Sequence, residues 1–274
     1  MRLYSMCRAV LTVCMAATVW GQSAADIMKR SIDRDFDNFE QQKNYTYQER
    51  EQNREFDAKG GVTKTETETS EILILGGRPY EKVVAKNDKP LSEKDARKEQ
   101  EKMDRELARR RNLTDAEKAK LEKERAEERK YLRQLPEAFT FRLEGEESIS
   151  GKPAWIIDAE PKPGFKPATA QAKVLAKVRA RIWVDQSEYQ WVKAEAEVLD
   201  TISIGLALFR LAPGGTIQFE QTRVNDEVWL PAHVLVRADA RIAYVKKIRA
   251  EIEVDFKNYK KFQSDSRIVS VEEK

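Results

Sequence analysis

One pattern constrains the fold of this 274-residue chain most strongly: apolar and charged residues alternate along several separate stretches. The alternation is clearest at 178–185, 192–198 and 248–256. A period of two places the apolar side chains of a strand on one face and the charged side chains on the other. Each such strand has one buried and one solvated face, which is typical of an antiparallel sheet.

Further strands are predicted on both sides of these stretches. Gly60-Gly61 and Gly76-Gly77 separate three β-prone runs that begin near Tyr45, Thr63 and Tyr80, as in a meander of hairpins. A sheet with one apolar face must cover that face. The sequence therefore predicts an α+β fold in which a curved antiparallel sheet, an incomplete barrel, wraps around helices.

Two segments are candidates for the covering element. Residues 23–44 carry an apolar stripe at helical spacing, formed by Ile27, Met28, Ile32, Phe36 and Phe39. The apolar segment 201–211 could be a lid, a loop or a further strand.

Residues 91–135 interrupt the strand pattern. From Glu93 to Arg133, 27 of 41 residues are charged, 15 basic and 12 acidic. Ser92 can cap a first helix, and Thr114 with Glu117 forms a capping-box signature for a second helix, which Pro136 would end. We therefore predict an inserted, mostly solvated helical hairpin that projects from the sheet.

Residues 1–21 have the features of a signal peptide. Arg2 and Arg8 precede a 12-residue apolar run. Cleavage before Gln22 would leave Val19 at the −3 position and Gly21 at the −1 position, where signal peptides favour small residues. We therefore expect an exported, periplasmic protein with one domain, 22–274. Cys7 and Cys14, the only cysteines, lie in the segment to be removed. Cys14 also allows a lipid-anchored outer-membrane form as the less favoured alternative.

The sequence resembles the outer-membrane lipoprotein-sorting (lipoprotein carrier and receptor) superfamily of bacterial envelopes. The residues that carry this resemblance are AWIIDA at 154–159, RIWVD at 181–185 and YQWVKAE at 189–195. Four more motifs resemble a bacterial branch with a charged helical insert: GRPY at 77–80, FRLAPG at 209–214, VWLP at 228–231 and YKKF at 259–262. The resemblance implies an incomplete barrel around an apolar cavity, in which carriers of the superfamily hold acyl chains.

Strand alternation then predicts which side chains would form the wall of such a cavity. They are Ile182, Val184, Val192, Ala194, Val198, Ile252 and Val254. By the same alternation, Trp183 and Trp191 fall on the charged faces of their strands, either as surface packing or as part of a partner-binding patch. Arg109, Arg110 and Arg111 lie near the predicted hairpin tip, where they would face a protein partner or anionic headgroups.

Little in the sequence indicates catalysis, and we expect no enzyme, cofactor or metal site. His233 is the only histidine, and without mature cysteines it cannot build a zinc site. The acidic residues Glu144, Glu146 and Glu147 are more simply a solvated face than a catalytic group. The formal net charge of +3 argues against a nucleic-acid partner.

Three functions remain as hypotheses. The favoured one is a periplasmic, non-catalytic protein that binds an acyl chain, a lipid or a lipidated protein by burial, with peripheral membrane contact. The alternative is an envelope protein-interaction or sensing module that uses the insert and exposed aromatics and fills its own core. The third is a hydrolase, which would require carboxylates that converge in a cleft.

Overall fold

The structure is a computed structural model that describes residues 22–75, 77–204, 209–242 and 246–262. The predicted signal peptide, 1–21, lies outside the described residues. Among the described helices, none combines the length and the apolar character needed to cross a membrane.

Four α-helices and thirteen strands are present in the described residues. The helices are α1 Ala24–Gln42, α2 Glu93–Arg111, α3 Asp115–Glu128 and α4 Leu135–Ala138, with 3₁₀ turns at Lys130–Gln134 and Gln171–Lys177. The first strands are β1 Tyr45–Phe56, β2 Val62–Leu75, β3 Arg78–Lys86, β4 Lys89–Pro90, β5 Phe139–Ile149 and β6 Lys152–Pro161. The others are β7 Val178–Asp185, β8 Trp191–Val198, β9 Ile202–Ile204, β10 Phe209–Leu211, β11 Thr216–Val224, β12 Val228–Ile242 and β13 Lys246–Lys261.

The strands form one antiparallel sheet in the order β4-β3-β2-β1-β13-β12-β11-β8-β7-β6-β5. The short strand β10 adds to β12 and also pairs with β9. The two edges, β4 and β5, are not joined within the described part of the chain, so the sheet is not closed into a barrel. The predicted fold class is confirmed.

Helix α1 lies across the apolar face of the sheet. It contacts β5 at one edge and also β12, five strand positions away. Five spacings span about 24 Å, and a helix of 19 residues is about 28 Å long, so α1 reaches across these strands along its length.

A buried asparagine fixes α1 to the sheet. Asn38 is only 2% exposed. Its side-chain amide donates to the carbonyl oxygen of Trp229 at 2.7 Å and accepts from the Trp229 backbone N–H at 2.8 Å. Because both bonds are buried and reach the backbone of β12, they set the position of the helix along the sheet.

The inserted hairpin has the predicted caps but a different end. Ser92 caps α2, and Thr114 with Glu117 forms the capping box of α3. Helix α3 ends at Glu128, and Pro136 lies in the first turn of α4 instead of ending a long helix. Proline is tolerated there because the first-turn N–H groups have no partner inside the helix.

The hairpin also does not project freely. Arg110 at the end of α2 donates to the carbonyl oxygens of Leu75 and Arg78, both at 2.9 Å, and of Pro79 at 3.1 Å. Arg78 donates to the carbonyl of Leu121 in α3 at 3.0 Å. The hairpin is therefore docked on the β2–β3 turn, although no residue of α2 is buried.

We expect Arg110→Ala to release the hairpin without unfolding the sheet. The Arg110 side chain is 12% exposed and bonds three carbonyls, so its loss should weaken docking by about 2 kcal/mol. Hydrogen exchange should become several-fold faster across α2 and α3 and stay unchanged in β7 and β8.

Arg109→Ala is the matched control, because Arg109 pairs with the same Glu106 but is 58% exposed. It should leave hydrogen exchange in α3 unchanged. Equal effects of the two variants would contradict docking through Arg110.

The apolar segment 201–211 contributes β9 and β10. Ile202 and Leu211 are buried with Val198 and Ala238, so this short hairpin covers one end of the apolar face. Residues 205–208 lie outside the described part of the chain.

Candidate ligand cavity

A half-open cavity of about 170 Å³ lies between α1 and the sheet. Three parts of the chain enclose it: the inner side of α1, strands β7 and β8, and the segment that follows α3. Its lining residues are Met28, Ser31, Ile32, Asp35, Leu132, Leu135, Ile182, Trp191 and Ala194. Seven of the nine side chains are apolar or aromatic, so the cavity suits an apolar occupant.

The end of the insert forms the outer wall. Leu132 lies in the 3₁₀ turn, and Leu135 begins α4. The guanidinium groups of Arg129 and Arg133 stack over Phe39 and Phe36 of α1, 4.6 and 4.1 Å from the ring centroids. This segment, 129–138, is called the cover segment below.

Asp35 holds the cover segment to both α1 and the sheet. It is 4% exposed. Its Oδ1 accepts from Trp191 Nε1 at 2.8 Å, and its Oδ2 accepts from Arg129. One buried carboxylate on α1 therefore joins β8 to the cover segment, and both of its oxygens are engaged.

A β-bulge brings Trp191 into the cavity. Ile182 pairs with Ala194, whereas Val184 pairs with Trp191, so β8 has one extra residue between these pairs. Strict alternation predicts Val192 on the apolar face and Trp191 on the charged one, and the bulge reverses both. Val192 instead packs on the opposite face with Trp183.

The other predicted wall residues are spread along the sheet. Ile182 and Ala194 line the cavity. Val184 is fully buried against α1, and Val198 lies in the cluster under β9 and β10. Val254 lies outside the lining but continues a row described below.

Two cross-strand rows extend the cavity over the apolar face. The first runs from Ala194 to Phe219, Val234 and Val254. The second runs from Ala196 to Ile217, Val236 and Ile252. Most of these side chains are only partly buried, and Trp191 and Phe219 lie 4.8 Å apart by ring centroids. The rows make an apolar trough about 14 Å wide across β8, β11, β12 and β13.

The predicted partner-binding residues do not form an exposed patch. Trp183 is 5% exposed and donates to Glu147 at 2.7 Å, with Lys193 4.5 Å from its ring centroid. Trp191 lines the cavity. Arg110 is bound to backbone carbonyls, while Arg109 pairs with Glu106 and Arg111 is exposed.

Ionisable groups lie on β1, the strand next to the trough. Glu49 pairs with Phe256 across the β1–β13 register and lies near Tyr47. Burial, then the neighbouring Glu81 and Glu51, raise the pKa of Glu49. Burial likewise raises the pKa of Tyr47 to about 12. Both shifts favour the neutral form of the group relative to its ordinary pKa.

Glu49→Gln should raise the melting temperature at pH 7–8. A carboxyl group whose folded pKa is raised loses stability when it ionises, so the glutamine removes that loss. The gain should vanish below about pH 4, where the glutamate is protonated in both the folded and unfolded states. Thermal melts from pH 3 to 8 measure this.

Glu66→Gln on β2 is the control, since Glu66 is exposed and pairs with Lys64. It should show no such pH-dependent gain. A lower melting temperature for Glu49→Gln at pH 8 would contradict the assigned burial of charge.

Sequence reasoning missed Ser31 and Asp35, which line the cavity from α1. Both fall inside the apolar stripe, at helical spacing from Ile27, Met28 and Ile32. A polar residue within an apolar stripe was the available signal. The cover segment gave no comparable signal, because only Leu132 and Leu135 of its residues reach the cavity.

No family model and no curated protein matches the chain. Solved structures do. A DUF1329 family protein from Desulfovibrio piger is 10% identical, with a TM-score of 0.34, covering 89% of this chain and 95% of that one. An outer membrane lipoprotein-sorting protein domain from Vibrio parahaemolyticus is 10% identical, with a TM-score of 0.32, covering 88% and 95%.

A LolA superfamily protein from Nitrosomonas europaea is 11% identical, with a TM-score of 0.31, covering 88% of this chain and 94% of that one. The lipoprotein-sorting superfamily that the sequence resembles is thus found among the matching structures.

Proposed function

We propose that this protein is a non-catalytic binding protein that is exported to the periplasm and holds an acyl chain of a lipid or a lipidated protein. The observation that carries the proposal is the apolar cavity beneath α1 together with the trough that continues from it. An acyl chain is long, narrow and apolar, and it gains about 0.8 kcal/mol for each methylene group that it buries.

The size of the cavity determines how such a chain would lie. The cavity volume is about 170 Å³. This is close to the volume of an engineered protein cavity, about 150 Å³, that binds benzene. It is smaller than the sites that bind drug-sized ligands, which measure roughly 300–1,000 Å³. The cavity therefore takes one end of the chain. The remaining methylenes would lie along the trough, on side chains such as Phe219 and Val234.

The cover segment is the element that would move to admit a ligand to the cavity. Its first part, 129–135, is held by the Asp35–Arg129 pair and by cation–π contacts of Arg129 and Arg133, and none of these seven residues is fully buried, whereas Ala138 at its end belongs to the core. Displacing this first part would widen the cavity without breaking a strand pair. We infer that ligand enters between the cover segment and β8.

A homologous series of alkyl alcohols from C6 to C12 tests the proposal. If the chain is buried methylene by methylene, affinity should rise about threefold to fourfold per added carbon and level off once the trough is full. Competition with the fluorescent probe N-phenyl-1-naphthylamine gives each affinity. Failure to bind the probe, or affinities independent of chain length, would overturn the proposed function.

A further inference from the structure

Ser31 is the polar exception in the cavity wall. It lies in the middle of α1, is 1% exposed and lines the cavity. Its Oγ makes no hydrogen bond with any described residue. Serines inside helices often bond back to the carbonyl four residues earlier, and this one does not. A buried hydroxyl without a partner costs free energy, which a ligand can recover.

The surroundings of Ser31 favour a ligand group over water as its partner. A buried water needs two to four polar partners. The other polar lining residue, Asp35, already accepts from Trp191 Nε1 and Arg129. Ser31 is therefore the one polar side chain of the nine that line the cavity with no bond of its own.

Charge restricts what that partner can be. Asp35 lies one helical turn from Ser31, so the two side chains are neighbours on the same face of α1. Arg129 pairs with this carboxylate, and none of the nine lining side chains is cationic. A neutral oxygen acceptor therefore fits beside Ser31, whereas an ionised carboxylate would be buried next to Asp35 without a cation of its own.

We propose that the Ser31 hydroxyl is a headgroup subsite that donates a hydrogen bond to the neutral carbonyl oxygen of an acyl ester. The alkyl chain next to that carbonyl then lies against Met28, Ile32 and Ala194. This inference rests on the proposed function and narrows its ligand class from any apolar chain to an esterified one.

The test compares Ser31→Ala with the unchanged mature chain, using methyl octanoate, octanoate and octane at pH 8. Each competes with N-phenyl-1-naphthylamine. Ser31→Ala should weaken methyl octanoate about threefold to tenfold, the loss of one neutral hydrogen bond, and leave octane unchanged or slightly tighter. Octanoate should bind more weakly than the ester to the unchanged chain.

Ser70→Ala is the matched control. Ser70 is 3% exposed, but its hydroxyl donates to Glu81 at 3.0 Å and it does not line the cavity. It should leave the affinity for all three compounds unchanged. The ratio of the affinity of the unchanged chain to that of Ser31→Ala can also be measured for a short-chain phosphatidylglycerol and for a diacylglyceryl-cysteine peptide. The ligand that loses affinity on Ser31→Ala identifies the ester as that of a membrane lipid or of a lipidated protein.

The outcomes separate this inference from the proposed function. If octane binds but Ser31→Ala changes ester and octane equally, the headgroup subsite is wrong and the apolar site stands. If neither octane nor the ester displaces the probe, the proposed function fails as well. Ser31→Ala should also keep or raise the melting temperature, and a fall of several degrees would mean that the hydroxyl is already bonded within the free protein.

Discussion

Replacing Asp35 with alanine is expected to lower the melting temperature by about 5–10 °C. The substitution leaves Trp191 Nε1 and the guanidinium of Arg129 without their acceptor. Removing one partner of a buried ion pair costs about 3–5 kcal/mol. The Arg129 side chain is 28% exposed and regains some water, so we expect about 2–3 kcal/mol. For a chain of this size each kcal/mol corresponds to roughly 2–4 °C.

The matched control for this prediction is Asp33→Ala. Asp33 lies on the same helix and forms an ion pair with Arg133 at 3.8 Å, but its side chain is 63% exposed. Such a pair contributes less than about 1 kcal/mol, so the melting temperature should change by 2 °C or less. Equal shifts for the two variants would show that the Asp35 contacts do not hold the cover segment.

Hydrogen exchange locates the Asp35 effect. Because Asp35 links α1 to β8 and to the cover segment, Asp35→Ala should speed exchange in 129–138 more than in β12. Asp35→Asn keeps an acceptor for Trp191 but loses the charge opposite Arg129, so it should fall between the unchanged chain and alanine. A uniform acceleration over the whole sheet would instead indicate global destabilisation.

The second large effect concerns ligand uptake. Ala194→Phe places a phenyl ring in the cavity wall, opposite α1. If the ring displaces about four methylenes of a bound chain, the loss is about 3 kcal/mol, or roughly 100-fold in affinity. Direct titration of N-phenyl-1-naphthylamine or an alkyl alcohol measures it.

Stability provides the control for Ala194→Phe. Overfilling a packed core costs about 1–3 kcal/mol, whereas a ring placed in an empty cavity should leave the melting temperature within about 3 °C. Leu143→Phe, at a position 43% exposed on β5, should change neither stability nor binding. Full binding by Ala194→Phe would exclude the cavity as the ligand site.

Much of the sheet was predictable because alternation is a local signal. Val178, Ala180, Ile182 and Val184 of β7 share one face, as a period of two requires, and Trp183 lies on the other. The capping residues Ser92 and Thr114 were equally predictable, since a cap depends only on the first turn of its helix.

The errors arise where the decisive partner is distant in the chain. Trp191 and Val192 are both apolar, so nothing local indicates which of them faces α1, and the bulge opposite β7 decides. The sequence predicts that Arg110 faces outward, because it lies in a basic cluster. Its carbonyl acceptors lie more than 30 positions earlier in the chain, so local sequence does not reveal them. A proline such as Pro136 is compatible with the end of one helix or with the first turn of the next. Because the chain turns after α3, Pro136 lies in the first turn of α4.

The cavity itself could be predicted only in part. Ile182 and Ala194 followed from alternation, but the helix side needed attention to the polar residues Ser31 and Asp35 inside an apolar stripe. The outer wall comes from the charged insert, which composition alone marks as solvated. Its two leucines become lining residues because Arg129 and Arg133 anchor the segment to α1.

Acyl-chain binding can be tested by native mass spectrometry of residues 22–274, purified from a bacterial periplasm without detergent. We expect a stoichiometric adduct with the mass of an acyl lipid, which organic extraction removes and which Ala194→Phe lacks. A ligand-free mass for the unchanged chain, with no uptake of added lipid, would contradict the account.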